Sequence, residues 1–133
     1  MNYLVDTHVL IWNLFDPDKI EPTKREILLD PAAVKHVSKI TLWEIALKYS
    51  LGKLKLNGIT PEKLFNTSLE AGYELFDVAE EDLITFYKLP AHKDHKDPFD
   101  RLLIWQCIRN NLVFLTADKR AREYVRHGLK IAE

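Results

Sequence analysis

Short apolar runs alternate with stretches of helical periodicity along the whole chain, and no other feature restricts the fold as much. Tyr3-Leu4-Val5, Val34 to Val37, Glu74 to Val78, Leu112 to Thr116 and Leu129 to Ala132 have the length and composition of strands. Between them lie segments with helix signals. One runs from Val9 to Phe15 and stops before Asp16-Pro17; another follows Pro22 to Leu29. The strongest spans Lys39 to Leu51, with Leu42, Ile45, Ala46 and Tyr49 on one stripe and Gly52 as its stop. Thr60-Pro61-Glu62 supplies a cap with proline at the first helical position, opening a helix to about Ala71. Helices are also predicted over Glu80 to Lys88, from Asp97-Pro98 to about Asn110, and from Asp118 onward. Strands alternating with helices predict an α/β sandwich built on a largely parallel sheet. Ligands of such folds bind beyond the carboxyl ends of the strands, so the polar residues at those ends are the candidates for function.

No repeat, low-complexity tract or linker divides the 133 residues, which predicts one domain over 1–133. A net charge of −1 excludes a globally basic nucleic-acid binder but not a local basic patch beside an acidic centre. The single Cys107 lies in the apolar run Leu102 to Ile108 and reads as a core residue of a reducing compartment. The opening MNYLVDTH has no signal-peptide pattern, and no uncharged apolar stretch is long enough to span a membrane. A cytoplasmic protein is expected.

Acidic residues stand where the site should be. Asp6 follows the first strand directly, Asp118 follows the fourth by two residues, Asp97 and Asp100 open a long helix, and Glu44 sits on the strongest one. Asp6, Asp97 and Asp118 also suit plain N-caps, Asp100 suits the third helical position, and Glu44 suits an ion pair with Lys48 at i+4. Converging carboxylates repel one another, and a divalent cation removes the conflict. Oxygen donors without clustered Cys or His favour Mg²⁺ or Mn²⁺.

Four motifs occur in order: Val5-Asp6-Thr7-His8, Leu42-Trp43-Glu44-Ile45-Ala46, His95-Lys96-Asp97-Pro98-Phe99-Asp100-Arg101-Leu102-Leu103-Ile104, and Leu115-Thr116-Ala117-Asp118. Together they resemble the branch of PIN-domain, VapC-type toxins that carries an HxDPFDR motif. The resemblance implies a three-layer fold with a parallel five-stranded sheet in the order 3-2-1-4-5. It also implies an endoribonuclease holding one or two Mg²⁺ or Mn²⁺ ions on Asp6, Glu44, Asp100 and Asp118. Asp97 is read first as a cap and second as a ligand. The implied partners are RNA, a cognate antitoxin of a type II toxin–antitoxin pair, and a second copy of the chain in a homodimer.

Lys119, Arg120 and Arg122 begin a basic run beside Asp118 and are candidates for RNA-backbone contact, with Lys48, Lys53 and Lys55 as alternatives. Lys48 and Arg101 either form salt bridges or orient carboxylate or phosphate. His92 and His95 are expected to make surface loop contacts, His8 to pack or cap near the acids, and Trp12, Trp43 and Trp105 to anchor a core or an interface. Two other functions fit an α/β chain with acids at its strand ends. A phospho-acceptor receiver would use Asp77, and a PIN domain without catalysis would only bind.

Overall fold

The computed structural model describes residues 1–133. Five parallel strands form one sheet: β1 (Asn2–Val5), β2 (Val34–Ser38), β3 (Glu74–Phe76), β4 (Val113–Leu115) and β5 (Lys130–Ile131). Their order is β3-β2-β1-β4-β5. The strand order expected from the resemblance is therefore the observed one. It also differs from the 2-1-3-4-5 order of the receiver fold.

Six α-helices make the crossovers up to β4: α1 (Thr7–Phe15), α2 (Pro22–Leu29), α3 (Lys39–Ser50), α4 (Pro61–Glu70), α5 (Glu80–Ile84) and α6 (Pro98–Asn110). Side-chain alternation along the central strands divides the core into two layers. Val5, Val37, Val113 and Leu115 pack with Leu10, Leu28, Ile45 and Leu64 on one face of the sheet. Leu4 and Phe114 pack with Leu103, Ile104, Cys107 and Tyr124 on the other. Each such side chain, fully removed from water, contributes about 1.5–3 kcal/mol. Both faces are thus covered, as a parallel sheet requires.

Two predicted helices differ from expectation. The helix after Asp118 is a 3₁₀ helix, Lys119–His127. Its inward residues Ala121 and Tyr124 are three apart, and three residues per turn stack such positions on one side. Gly128, at φ +103°, ends it in the left-handed conformation and turns the chain into β5. The segment from Glu80 to Lys88 breaks into α5 and a 3₁₀ turn at Phe86–Lys88. The Thr85 hydroxyl at the break accepts from Trp105 Nε1 at 3.1 Å, and Pro90, just beyond, cannot continue a helix.

Candidate active site

Because β1 and β4 are neighbours running the same way, their carboxyl ends bring residue 6 beside residues 116–118. The Asp6 N–H donates to Leu115 O at 3.0 Å, extending the strand pairing by one step. Asp6 caps α1 through Oδ1, which accepts from the Val9 N–H at 2.8 Å. Its Oδ2 accepts from the Thr116 hydroxyl, and the Thr116 oxygen in turn accepts from the Asp118 N–H at 3.0 Å. Thr116 therefore links the two acids. Burial raises the Asp6 carboxyl above its ordinary value, against the lowering effect of these hydrogen bonds.

Glu44 reaches the same region from α3, which starts at β2's end with Ser38 as its cap. The helical-wheel position of Glu44 is off the apolar stripe, yet its side chain is only 1% exposed. A buried carboxylate needs partners. It accepts from the Thr7 hydroxyl and from Lys48 Nζ, each at 2.5 Å. Lys48 also lies 3.9 Å from Asp97, and although burial disfavours its charge, Glu44 raises its pKa.

Asp97 and Asp100 sit at the start of α6. Asp97 Oδ1 accepts from the N–H groups of Phe99 and Asp100 at 2.8 and 3.2 Å, so its capping role is realised. Asp100 is the electrostatic weak point. Burial first, and then Asp97, Glu44, Asp6 and Asp118, push its pKa up to about 7. Asp118 behaves oppositely. Burial alone would raise it, but Arg120 braces both of its oxygens with contacts of 2.9 to 3.1 Å and holds it below the ordinary carboxylate value.

Donor atoms of His95, Asp100 and Asp118 lie within 4.8 Å of one another, as do those of Glu44, Asp97 and Asp100. Asp100 belongs to both groups. Asp6, Asp100 and Asp118 share a cavity of about 250 Å³ with His8, Trp12, Ala117 and Arg120. A mainly carboxylate donor set whose central member resists ionisation fits a hard divalent cation such as Mg²⁺ or Mn²⁺.

The structure brings together Asp6, Glu44, Asp97, Asp100 and Asp118 but distributes the expected cations differently. Exposed Lys119 lines one cavity with Lys24 and Arg122 and another with Lys93 and Arg120. Arg122 pairs with Glu133 at 2.9 Å, and Arg120 is occupied by Asp118. Arg101 donates to the carbonyls of Leu89 and Pro90 and to the Tyr124 hydroxyl, so it fastens the loop before α6. Lys53 and Lys55 are exposed beyond α3. Asp77 is exposed, pairs with Lys39 at 3.0 Å and takes no part in the cluster.

Several residues depart from expectation. His95, expected on a surface loop, is 2% exposed and faces Asp100 and Asp118. His92 is half-buried in the loop, where its ring packs edge-on against Tyr124 and its Nε2 meets that of His127 at 3.2 Å. Of the two places expected for Trp43, it is outside the core, which leaves the interface alternative open: it is 60% exposed and packs edge-on against Phe99 at 5.0 Å between ring centres. Thr7, Thr116 and Tyr124 were not singled out. Only Thr7 and Thr116 carried a signal, as hydroxyls one residue from Asp6 and two from Asp118.

The family model of the PIN domain matches residues 3–126. The chain belongs to the PIN domain family. Among solved structures, this PIN domain is similar to VapBC from Salmonella typhimurium, in a complex with DNA, at 20% identity and TM-score 0.67; the match covers 98% of this chain and 96% of that one. VapBC-1 from nontypeable Haemophilus influenzae matches at 17% identity and TM-score 0.67, over 98% and 96% of the two chains. VapBC2 from Rickettsia felis, bound to a DNA fragment from its promoter, matches at 16% identity and TM-score 0.66, over 98% and 97%. No curated protein sequence matches this PIN domain.

Proposed function

We propose that this PIN domain is a metal-dependent endoribonuclease and the toxin of a type II toxin–antitoxin pair. One observation carries the reading: Asp6, Glu44, Asp100 and Asp118 converge beyond the carboxyl ends of β1 and β4, with the pKa of Asp100 pushed up to about 7. A cluster in that state is short of positive charge. When bound, one or two Mg²⁺ or Mn²⁺ ions supply Lewis acidity for the hydrolysis of a phosphodiester. Asp6, Glu44, Asp100 and Asp118 hold the cation, and Asp97 serves first as the cap of α6 and only second as a ligand. Thr116 and Thr7 keep the carboxylates of Asp6 and Glu44 turned to their places, and Lys48 offsets the charge of Glu44. No side chain in this reading becomes covalently attached to RNA.

The RNA backbone is assigned to the basic rim on the Asp118 side, where Lys119, Arg122 and Lys24 surround one cavity and Lys93 and Arg120 another. The fold's likeness to VapBC complexes supports an antitoxin partner, and exposed Trp43 supports a homodimer face. No helix is long and apolar enough to cross a membrane. The reading includes a cytoplasmic setting, in keeping with the free, buried thiol of Cys107.

Incubation of a mixed RNA pool with the chain in Mg²⁺, Mn²⁺ or EDTA tests the reading. Cleavage is expected with either metal, none in EDTA, and none from folded Asp6→Asn or Asp118→Asn. Cleavage that persists in EDTA, or in either variant, sinks it. A folded parent that binds RNA but never cuts it favours the silent binding module.

A further inference from the structure

The loop before α6 buries a histidine that the four-acid reading does not use. A tight turn places it: the His95 N–H donates to His92 O at 3.1 Å, and Arg101 clamps the loop's start through the carbonyls of Leu89 and Pro90. The imidazole is 2% exposed. Its Nδ1 lies 2.9 Å from the Tyr124 hydroxyl, itself fully buried. Its Nε2 lies 3.5 Å from Asp118 Oδ2 and 3.9 Å from Asp100 Oδ2.

The partners of Tyr124 determine where the ring proton sits. Arg101 Nε approaches the phenolic oxygen at 3.3 Å, and a guanidinium can only donate. The phenolic proton needs an acceptor of its own, because an unmade bond in a buried site is costly. His95 Nδ1 is the acceptor in reach. With Nδ1 accepting, the ring carries its proton on Nε2. The opposite tautomer strands the phenolic proton and turns a lone pair toward two carboxylates.

We infer that His95 is a positioning residue of the acidic centre: Tyr124 holds it as the Nε2–H tautomer, so that it presents a donor to Oδ2 of Asp118 and of Asp100 and fixes how the two carboxylates are turned. The assignment rests on the proposed reading of those acids as metal-binding. It makes Arg101, Tyr124 and His95 a connected support behind the carboxylates, of the kind whose loss weakens metal binding about 10-fold or more.

Nitrogen-15 NMR of the imidazole rings in the full chain, first in EDTA and then in saturating Mg²⁺, reads the tautomer directly. The Nε2–H form is expected in both. Mn²⁺ affinity, followed by the free-ion EPR signal, should fall about 10-fold in His95→Ala and in Tyr124→Phe. His95→Gln, whose amide can present an N–H near the Nε2 position, should recover much of the loss. Circular dichroism and unfolding curves establish that each variant is folded. An Nδ1–H tautomer in EDTA overturns the inference. So does loss of the Nε2 proton on adding Mg²⁺, which would make His95 a ligand, or unchanged Mn²⁺ affinity in folded His95→Ala. A parent that takes up no Mn²⁺ defeats the underlying metal-centre reading, and the spectrum in EDTA distinguishes that failure from a wrong tautomer.

Discussion

Asp100 joins the largest electrostatic strain to the most direct prediction. Its folded-state pKa of about 7 lies above the ordinary 3.8, so its protonated form stabilises the fold. That contribution is complete below about pH 4 and is lost as pH rises through about 7. In EDTA, Asp100→Asn should therefore match the parent at pH 4 and exceed it at pH 8 by about 1–2 kcal/mol, allowing for solvent screening. Urea unfolding at the two pH values checks this, and a less stable variant at pH 8 refutes it. Saturating Mg²⁺ should reverse the order, because the ion binds the folded parent more tightly. Asp97 behaves as a cap. Asp97→Ser should keep most stability and cleavage, whereas Asp97→Ala should lose about 1 kcal/mol in thermal unfolding. The acids were legible in the sequence because strand ends and helix starts announce themselves. The supports were not. His95 lies in an irregular loop with no period to read, and Tyr124 meets it only because the sheet brings β4's return beside α6.

The 3₁₀ helix Lys119–His127 is the element whose sequence misled most, and the proposed RNA contact depends on its charges. Its basic run reads as one solvated face, yet the structure uses each cation differently. Arg120 braces Asp118, Arg122 ties down Glu133, and Lys119 faces two cavities. Lys119→Gln should therefore weaken RNA binding and reduce the salt slope by about one phosphate contact, with folding unchanged. Binding measured at several salt concentrations in Ca²⁺ tests this; an unaltered slope moves the RNA path away from this rim. Arg120→Gln should act differently. It frees Asp118 and alters metal affinity as well, which a Mn²⁺ titration separates from RNA binding. The strands and the long helices could be read in advance, since their apolar spacing has one interpretation. Five-residue α5 and this helix could not, since short apolar patterns do not distinguish three residues per turn from 3.6.

Across the whole molecule, the strand order is what turns scattered acids into a centre, and periodicity alone does not contain it. The same elements wound in another order would leave Asp6 and Asp118 apart. The outer surface adds a testable assembly. Trp43 with Leu83, Phe86, Pro98, Phe99 and Leu102 lines an apolar hollow of about 200 Å³. Trp43→Arg should convert the proposed homodimer to a monomer in sedimentation velocity; an unchanged sedimentation coefficient, whether of a dimer or of a monomer, removes this face from the assembly. The pairing of β1 with β4 has a consequence in time rather than in space. Asp6, Glu44 and Asp100 all leave the ribosome before β4 does, but β1 lacks one of its two neighbours until residues 113–115 arrive. The hydroxyl that links Asp6 to Asp118 follows only at Thr116. A nascent or truncated chain ending before β4 therefore carries three of the four acids without the strand that aligns them, and the acidic centre is assembled only as synthesis passes the fourth strand.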